Sequence, residues 1–205
     1  MEYLVAMTTN VPDGTPEEDV QETRAREAVR ARELATAGHL LRLWRPPLRP
    51  GEWRTLGLFA ADNDRDLETT LASMPLRVWR TDEATPLLAH PNDPTSAPVP
   101  VHGPHVHMQE FLTTFTITVP AGTRTQVVDE TRAEEAARAH ELADHGHLLL
   151  RLWTLPGESR TLGLWRARDE TEMQAILKSL PLAPWMTVEV TPLSVHPSDP
   201  AAVRS

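Results

Sequence analysis

A glutamate and an arginine recur at matching places in two helical segments of this 205-residue chain. Glu27 and Arg24 stand in the first segment, and Glu135 and Arg132 stand in the second. A carboxylate that is partly withdrawn from water has a raised pKa, which makes it a usable general base near neutral pH. An adjacent guanidinium partly opposes that rise, but it could neutralise a developing enolate or hold a substrate carboxylate. These residue types are typical of a proton-transfer site.

The phase of each helix decides where this pair points. The pair belongs to a stripe at steps of four and three, the kind that packs on a sheet: Val20, Arg24, Glu27, Ala31 and Leu34, repeated as Val128, Arg132, Glu135, Ala139 and Leu142. Its spacing of three residues also lets each arginine touch its glutamate. A competing alanine face would leave the glutamates in surface ion pairs: Ala25, Ala28 and Ala35, repeated as Ala133, Ala136 and Ala143. Two interpretations therefore stay open. The pair either faces inward to a cavity between helix and sheet, or it lies on the surface.

Several histidines are weaker candidates for a site. His39 and His147 follow glycines that end the helices, where an imidazole could cap the helix or line the mouth of a pocket. His90 and His196 precede prolines, and a structural role is the favoured interpretation for both. The segment VHGPHVH at 101–107 holds three histidines without a carboxylate or cysteine nearby, so a linker role is favoured and no metal site is expected.

The composition narrows the classes of protein to consider. The net charge is −9, and arginines are interspersed with acidic residues, which argues against nucleic acid or an anionic membrane as a partner. The absence of cysteine excludes disulfides, thiolate catalysis and cysteine-ligated zinc. No Gly-rich phosphate loop, nucleophile elbow or zinc helix motif is present. No apolar run reaches the roughly 18 residues that span a bilayer, and no signal peptide is evident, so a cytoplasmic location is expected.

Most of the sequence is present twice. The stretch SMPLRVWRTDEATPLLAHPNDP at 73–94 matches SLPLAPWMTVEVTPLSVHPSDP at 179–200 without a gap, and the similarity extends back through GHLLRLW and GHLLLRLW. A proline-rich segment without hydrophobic periodicity lies between the copies. The predicted organisation is a first repeat at 1–90, a linker at 91–106 and a second repeat at 107–205.

Both repeats have the same predicted order of elements, βαββαβ. Helix signals such as Pro16 and Gly38 predict a long first helix over roughly 16–37, with its equivalent over 124–145. Two short strands and a second helix follow, and a last strand is predicted over roughly 78–88 and 185–193. The order predicts an α+β fold class with two ferredoxin-like repeats.

The sheet of such a repeat has one face covered by helices and one face bare. A bare apolar face is costly in water, so we expect the two repeats to form an intramolecular pseudo-dimer, like a dimeric α+β barrel. The alternative is two independent domains joined by a linker.

The ordered motifs resemble those of a known family. A helix glutamate, GHLLRLWR, a helix ending in MPL or LPL, and a strand ending in AHPNDP or VHPSDP together resemble muconolactone Δ-isomerase over nearly all of each repeat. The resemblance implies a cofactor-free isomerase with a ferredoxin-like fold that shifts the double bond of an unsaturated lactone. It also implies that Glu27 and Glu135 are the general bases, and that a neighbouring subunit's tail completes each pocket.

The sequence departs from the pattern of that family around the expected pocket. The family has one unit per chain, whereas this chain has two. Arg24 stands where a lysine is more typical, and the arginine after LW is Arg45 in the first copy but Thr154 in the second. The histidine and tyrosine of the family's next loop are also unmatched. These departures predict an altered substrate pocket and two copies that are not equivalent.

The first hypothesis is a cofactor-independent isomerase of a small unsaturated lactone or enone. Glu27 and Glu135 would move the proton, and substrate-binding positions are assigned to Arg24, Arg132, His39, His147, Trp44, Trp153 and Arg45. The alternatives are a cofactor-free monooxygenase or natural-product cyclase on the same fold, and a non-catalytic ligand-binding or assembly module. Expected partners are a small-molecule substrate and further copies of the chain. The resemblance implies a decamer of single units, so five chains with two units each would rebuild a decamer-like ring.

Overall fold

A computed structural model describes residues 1–94, 108–144, 148–157 and 160–202. The first copy contains β1 (Glu2–Thr9), α1 (Glu17–Thr36), β2 (Leu40–Arg45), β3 (Arg54–Ala60), α2 (Asp64–Ala72) and β4 (Arg80–Ala89). The second copy contains β5 (Gln109–Ile117), α3 (Thr125–Asp144), β6 (Leu149–Thr154), β7 (Arg160–Ala167), α4 (Glu170–Lys178) and β8 (Met186–Val195). The predicted βαββαβ order is therefore confirmed in each copy.

Local sequence signals account for most helix ends. The first turn of α1 is acidic, which suits the positive end of the helix dipole, and Gly38 takes up a φ of 78° after its last residue. The shorter helices begin at side-chain caps, with Asn63 accepting from the backbone of Asp66 and Asp169 accepting from that of Glu172. The last strands start later than predicted, because a 3-10 turn follows the proline in each copy, at Pro75–Trp79 and Ala183–Trp185.

Each copy forms an antiparallel sheet with a ferredoxin-like strand order. The order is β4-β1-β3-β2 in the first copy and β8-β5-β7-β6 in the second. The end of β8 adds a short fifth pairing to β2, through Trp44 opposite Val195. In the same way, the end of β4 pairs with β6, through Ala89 opposite Trp153.

The compact units of the structure do not coincide with the two sequence copies. Of the described residues, the first unit holds 1–87 with 194–202, and the second holds 88–94 with 108–193. Each unit thus consists of nearly all of one βαββαβ copy, together with the end of the last strand and the tail of the other copy. The predicted boundaries at 90 and 106 stay predictions, because residues 95–107 lie outside the described part. The pseudo-dimer packing of the two sheets also stays a prediction.

Each unit has its own apolar core between its sheet and its helices. Tyr3, Phe59 and Leu67 belong to the first core, and Phe111 and Trp165 belong to the second. The repeated glycine of TLGLF and TLGLW lies under the aromatic ring two residues later. A Cβ at Gly57 would lie 2.4 Å from the ring of Phe59, and one at Gly163 would lie 2.3 Å from that of Trp165. Glycine therefore makes room for a buried ring at each place.

None of the helices in the described ranges is both long and apolar enough to cross a lipid bilayer.

Candidate active site

The inward phase of the long helices is confirmed in both units. Val20, Ala31 and Leu34 are buried on α1, and Ala139 and Leu142 are buried on α3. The glutamates on these stripes are half-buried, and each borders a cavity between its helix and its sheet. The competing alanine face is therefore the wrong phase.

The cavity of the second unit has a volume of about 330 Å³ and largely apolar walls. Helix α3 contributes Glu135 and Arg132, the sheet contributes residues such as Phe115 and Trp165, and the turn after α4 contributes Leu182. The tail of the first copy completes the wall with His90, Pro91 and Asn92, which belong to this same unit. The rings of Phe115 and Trp165 meet edge to face at 6.1 Å, and the indole donates to Thr113 at 2.8 Å, so this wall is well fixed.

Glu135 is a carboxylate with little to stabilise its charge. Its Oε2 accepts a hydrogen bond from the backbone N–H of Leu182 at 2.9 Å. Burial raises the pKa of Glu135, and the hydrogen bond from Leu182 opposes the rise only in part. In the described part of the chain, no cationic side chain forms an ion pair with it. A carboxylate of this kind can accept a proton from a bound molecule near neutral pH.

The equivalent cavity of the first unit is nearly filled, with a volume of about 50 Å³. Glu27 accepts from the backbone N–H of Leu76 at 2.8 Å, as Glu135 does from Leu182. It also accepts from Arg80 Nη1 at 3.0 Å, and Arg80 is held in turn by Asp82 at 2.6 Å. Met186 takes the place of Arg80 in the second copy, and Val188 takes that of Asp82. An arginine side chain thus occupies space that is open in the second unit.

The electrostatics of the two glutamates differ accordingly. Burial raises the pKa of Glu27, while the Leu76 N–H and the charge of Arg80 lower it and Asp82 raises it further. The side chains of Arg80 and Asp82 are only 2% and 3% exposed, so this ion pair is shielded from water. Among the described residues, Glu27 therefore has a cationic partner, Arg80, and Glu135 has none.

Arg24 does not pair with Glu27, although their spacing allows the contact. The guanidinium of Arg24 instead lies over the ring of Trp53, 4.7 Å from its centroid. The i to i+3 spacing permits the contact, but the aromatic face and the competing Arg80 draw the two side chains to other partners. Arg132 does line the cavity beside Glu135, at its exposed side.

A histidine from the tail lines each cavity, which sequence reasoning missed. His90 borders the second cavity and His196 borders the first. In each, Nδ1 accepts a backbone N–H two residues later, from Asn92 or Ser198, at 3.1 Å. Burial lowers the pKa of His90, and burial with the charges of Arg45 and Arg24 lowers that of His196 to about 4. The signal that could have found them is the repetition of HPxDP after both last strands.

Buried ion pairs hold the tails in place. Asp93 accepts from Arg151 Nε at 2.9 Å and from the backbone N–H of Leu152 at 2.8 Å. Asp199 accepts from Arg42 Nη2 at 3.1 Å, with side chains that are 0% and 2% exposed. The aspartates of the repeated motif are therefore the anchors that bring the histidines to the cavities.

The structure does not bring the predicted tryptophans to either cavity. Trp44 and Trp153 are buried under the guanidinium groups of Arg42 and Arg151, at 4.9 and 4.8 Å from the ring centroids. Side chains alternate along a strand, so the neighbouring leucines of β2 and β6 face the cavities instead.

His39 and Arg45 also differ from the expected arrangement. His39 is exposed in a separate surface depression beside Ala60, because the end of α1 lies roughly 15 Å along the helix axis from Glu27. Arg45 is exposed and acts on His196 only through its charge. His147 and the histidines of VHGPHVH lie outside the described residues. Across the described ranges, no cluster of three or more His, Asp and Glu side chains could hold a metal ion.

Comparisons with known proteins match both copies of the unit. The sequence model of one family, described as muconolactone delta-isomerase, matches residues 1–93 and 109–199. Muconolactone Delta-isomerase 1 of Acinetobacter lwoffii is 32% identical over 92 residues, which cover 45% of this chain and 93% of that protein. The muconolactone Delta-isomerase of Rhodococcus opacus is also 32% identical over 92 residues, covering 45% of this chain and 98% of its own.

Solved structures share the fold at much lower identity. A heme-binding protein from Thermus thermophilus has a TM-score of 0.60 at 11% identity, covering 100% of this chain and 94% of its own. Chlorite dismutase from Candidatus Nitrospira defluvii has a TM-score of 0.58 at 12% identity, covering 94% of this chain and 91% of its own. At such identities the likeness concerns the fold alone.

Proposed function

The chain belongs to the muconolactone delta-isomerase family, and from this premise we propose that it isomerises a small unsaturated lactone or enone in the cavity of its second unit. Family membership makes the chain an isomerase-type enzyme. The substrate, the general base and the working cavity are the content of the proposal. No cofactor takes part in the proposed reaction.

The proposed reaction is a proton shift within one molecule. Glu135 takes a proton from a ring carbon that is activated by the carbonyl group, and the electron pair moves onto the carbonyl oxygen as a dienolate. The protonated Glu135 then returns the proton to a different carbon of the dienolate, so that the double bond has moved. Substrate and product have the same composition, so the step needs no oxidant, reductant or co-reactant. Arg132, at the exposed side of the cavity, is assigned to an anionic group of the substrate.

One observation carries the proposal: Glu135 is a half-buried carboxylate that adjoins an open apolar space and has no cationic partner among the described residues. A general base must be both accessible to the substrate and basic enough to accept its proton. Glu27 is a poorer candidate than Glu135 on both conditions, because Arg80 binds its carboxylate and fills the adjoining space. We therefore assign catalysis to the second unit.

The test is an isomerisation assay on muconolactone with matched variants of the two glutamates. Glu135→Gln keeps the shape of the side chain and an acceptor for Leu182, but it removes the base. We expect it to lower kcat by about 10²–10⁴-fold, the usual contribution of a general base. Glu27→Gln is the matched control in the other unit, and we expect it to retain activity. Full activity in Glu135→Gln would overturn the mechanism.

The two alternative functions remain predictions with distinct readouts. A cofactor-free monooxygenase would consume oxygen with the same substrate. A ligand-binding or assembly module would bind the lactone without converting it. Oxygen consumption, or binding without turnover by the wild-type protein, would therefore replace the isomerase proposal.

A further inference from the structure

We propose that His90, carried by the tail of the first copy, donates a hydrogen bond from Nε2 to the oxyanion that forms in the second-unit cavity. The inference rests on the proposed isomerase function. It names the group that stabilises the dienolate oxygen while Glu135 holds the proton. Neither the sequence interpretation nor the family resemblance gave this histidine a role at the site.

The hydrogen bonding of the ring fixes which nitrogen is available. Nδ1 of His90 accepts the backbone N–H of Asn92 at 3.1 Å. A ring nitrogen that accepts a hydrogen bond cannot carry the proton, so in the neutral imidazole the proton is on Nε2. Since His90 lines the cavity with Nδ1 occupied by the turn, Nε2–H is the donor that remains for a bound molecule.

The protonation state also suits this task. Burial lowers the pKa of His90, so that the ring is neutral at physiological pH. The charged groups that share the cavity with it are Glu135 and Arg132. A neutral donor can stabilise a developing oxyanion without forming a salt bridge that would neutralise the carboxylate base.

The position of His90 is well determined by its neighbours. Asp93 closes the turn by donating its backbone N–H to the carbonyl of His90 at 3.0 Å. The carboxylate of Asp93 is in turn bound to Arg151 and to the backbone of Leu152, and Leu152 lines the same cavity. Because this donor is already held in position, the site needs little reorganisation when the oxyanion forms.

Two substitutions separate this role from a purely structural one. His90→Asn places an oxygen where Nδ1 stood, so it keeps the acceptor for Asn92 but removes the donor. His90→Gln places an amide N–H near the position of Nε2, so it keeps the donor but removes the turn acceptor. We expect His90→Asn to lower kcat on muconolactone by about 10²–10³-fold, as for the loss of one oxyanion donor. We expect His90→Gln to recover much of that loss, and His196→Asn to leave activity unchanged.

A binding assay tests the donor independently of turnover. The probe is 4-nitrophenolate, a planar oxyanion whose absorption changes on hydrogen bonding, in the Glu135→Gln background that mimics the protonated base. We expect wild-type His90 and His90→Gln to bind it at least about tenfold more tightly than His90→Asn, the range for one charge-assisted hydrogen bond. The proposal would be overturned if proteins with histidine or asparagine at position 90 bound 4-nitrophenolate equally tightly. It would also be overturned if binding were lost only in His90→Gln. An active Glu135→Gln would overturn the proposed base instead, whatever the probe shows.

Discussion

Arg80 donates a hydrogen bond to Glu27 at 3.0 Å across the place where the second unit has an open cavity. The sequence difference behind this relationship is small, because Met186 and Val188 replace Arg80 and Asp82 in the second copy. A buried ion pair needs both members, and both are lost together. The carboxylate of the first unit is thus enclosed by charge pairing, whereas the equivalent carboxylate of the second unit, the proposed base, adjoins an open cavity.

The closing pair can be removed to test its energetic role. Arg80→Met alone leaves the buried carboxylate of Asp82 without its partner at 2.6 Å, so we expect a destabilisation of about 3–5 kcal/mol, as for breaking a buried pair. Arg80→Met with Asp82→Val reproduces the second copy and replaces the pair by apolar groups, which is often nearly neutral. Urea denaturation of both variants measures the difference. A double variant that is less stable than the single one would contradict this account.

The same double variant should open the first cavity. We expect Arg80→Met with Asp82→Val to restore activity in the inactive Glu135→Gln protein, because Glu27 would then border an open space. Initial rates on muconolactone provide the readout, and adding Glu27→Gln to this triple variant is the control that should abolish the gain. Activity that persists in that control would show that the base lies elsewhere.

The pH dependence of the reaction follows from the environment of Glu135. Because burial raises the pKa of Glu135 above its ordinary value, the base is protonated at a higher pH than a surface glutamate. We expect kcat/KM to fall on the acid side as Glu135 is protonated, with a midpoint above the ordinary glutamate value of 4.5. A profile with no acid limb above pH 4.5 would argue against Glu135 as the base.

The same raised pKa has a consequence for stability. The protonated form of Glu135 is favoured in the folded state. Its contribution to the free energy of unfolding is therefore fully present below the pKa that Glu135 has in the unfolded chain, and it is lost as pH rises through the pKa in the folded protein. Glu135→Gln should therefore be more stable than wild type at neutral pH and about equal to it in acid. Thermal unfolding at several pH values, with Glu27→Gln as the paired comparison, measures this difference. The pKa of Glu27 is raised as well, so the same sign applies to Glu27→Gln, but the loss of the ion pair with Arg80 should offset the gain in stability.

The tail anchors should have unequal effects on activity. Asp93→Asn removes the ion pair with Arg151 and loosens the segment that carries His90, so we expect a loss of both stability and kcat. Asp199→Asn removes the buried ion pair with Arg42 in the first unit, so it should cost stability, about 3–5 kcal/mol, but not activity per folded molecule. Activity corrected for the folded fraction separates the two outcomes. Equal retention of activity in both variants would mean that the tail does not contribute to the site.

The assembly of the chain remains a prediction from the resemblance. Five chains would supply ten units, so static light scattering should give a mass five times that of one chain. A mass of one chain would instead mean that the units need no neighbours in solution.

The βαββαβ order of each copy and the inward-facing helix stripes beside the candidate cavities could be predicted from the sequence. Local structure is specified by hydrophobic patterns of period 2 in strands and period 3.6 in helices, together with helix caps and prolines. These signals occur in both copies of the repeat. The two stripes, one containing Glu27 and the other Glu135, were also local signals, because residues on one face of a helix pack against the same sheet. The repeated HPxDP motif was visible, but nothing local linked His90 to Glu135.

Tertiary structure decided which of these residues meet. Arg80 reaches Glu27 across 53 positions of sequence, and Asp93 reaches Arg151 across 58. Residues far apart in the sequence can lie as close in space as residues on one helix. Glu27 therefore binds Arg80, although its spacing from Arg24 also allows a contact. The sequence determined two similar units with a carboxylate in each. Long-range packing determined that one carboxylate is paired and enclosed while the other adjoins an open cavity, because a buried charge takes whichever partner the fold brings nearest.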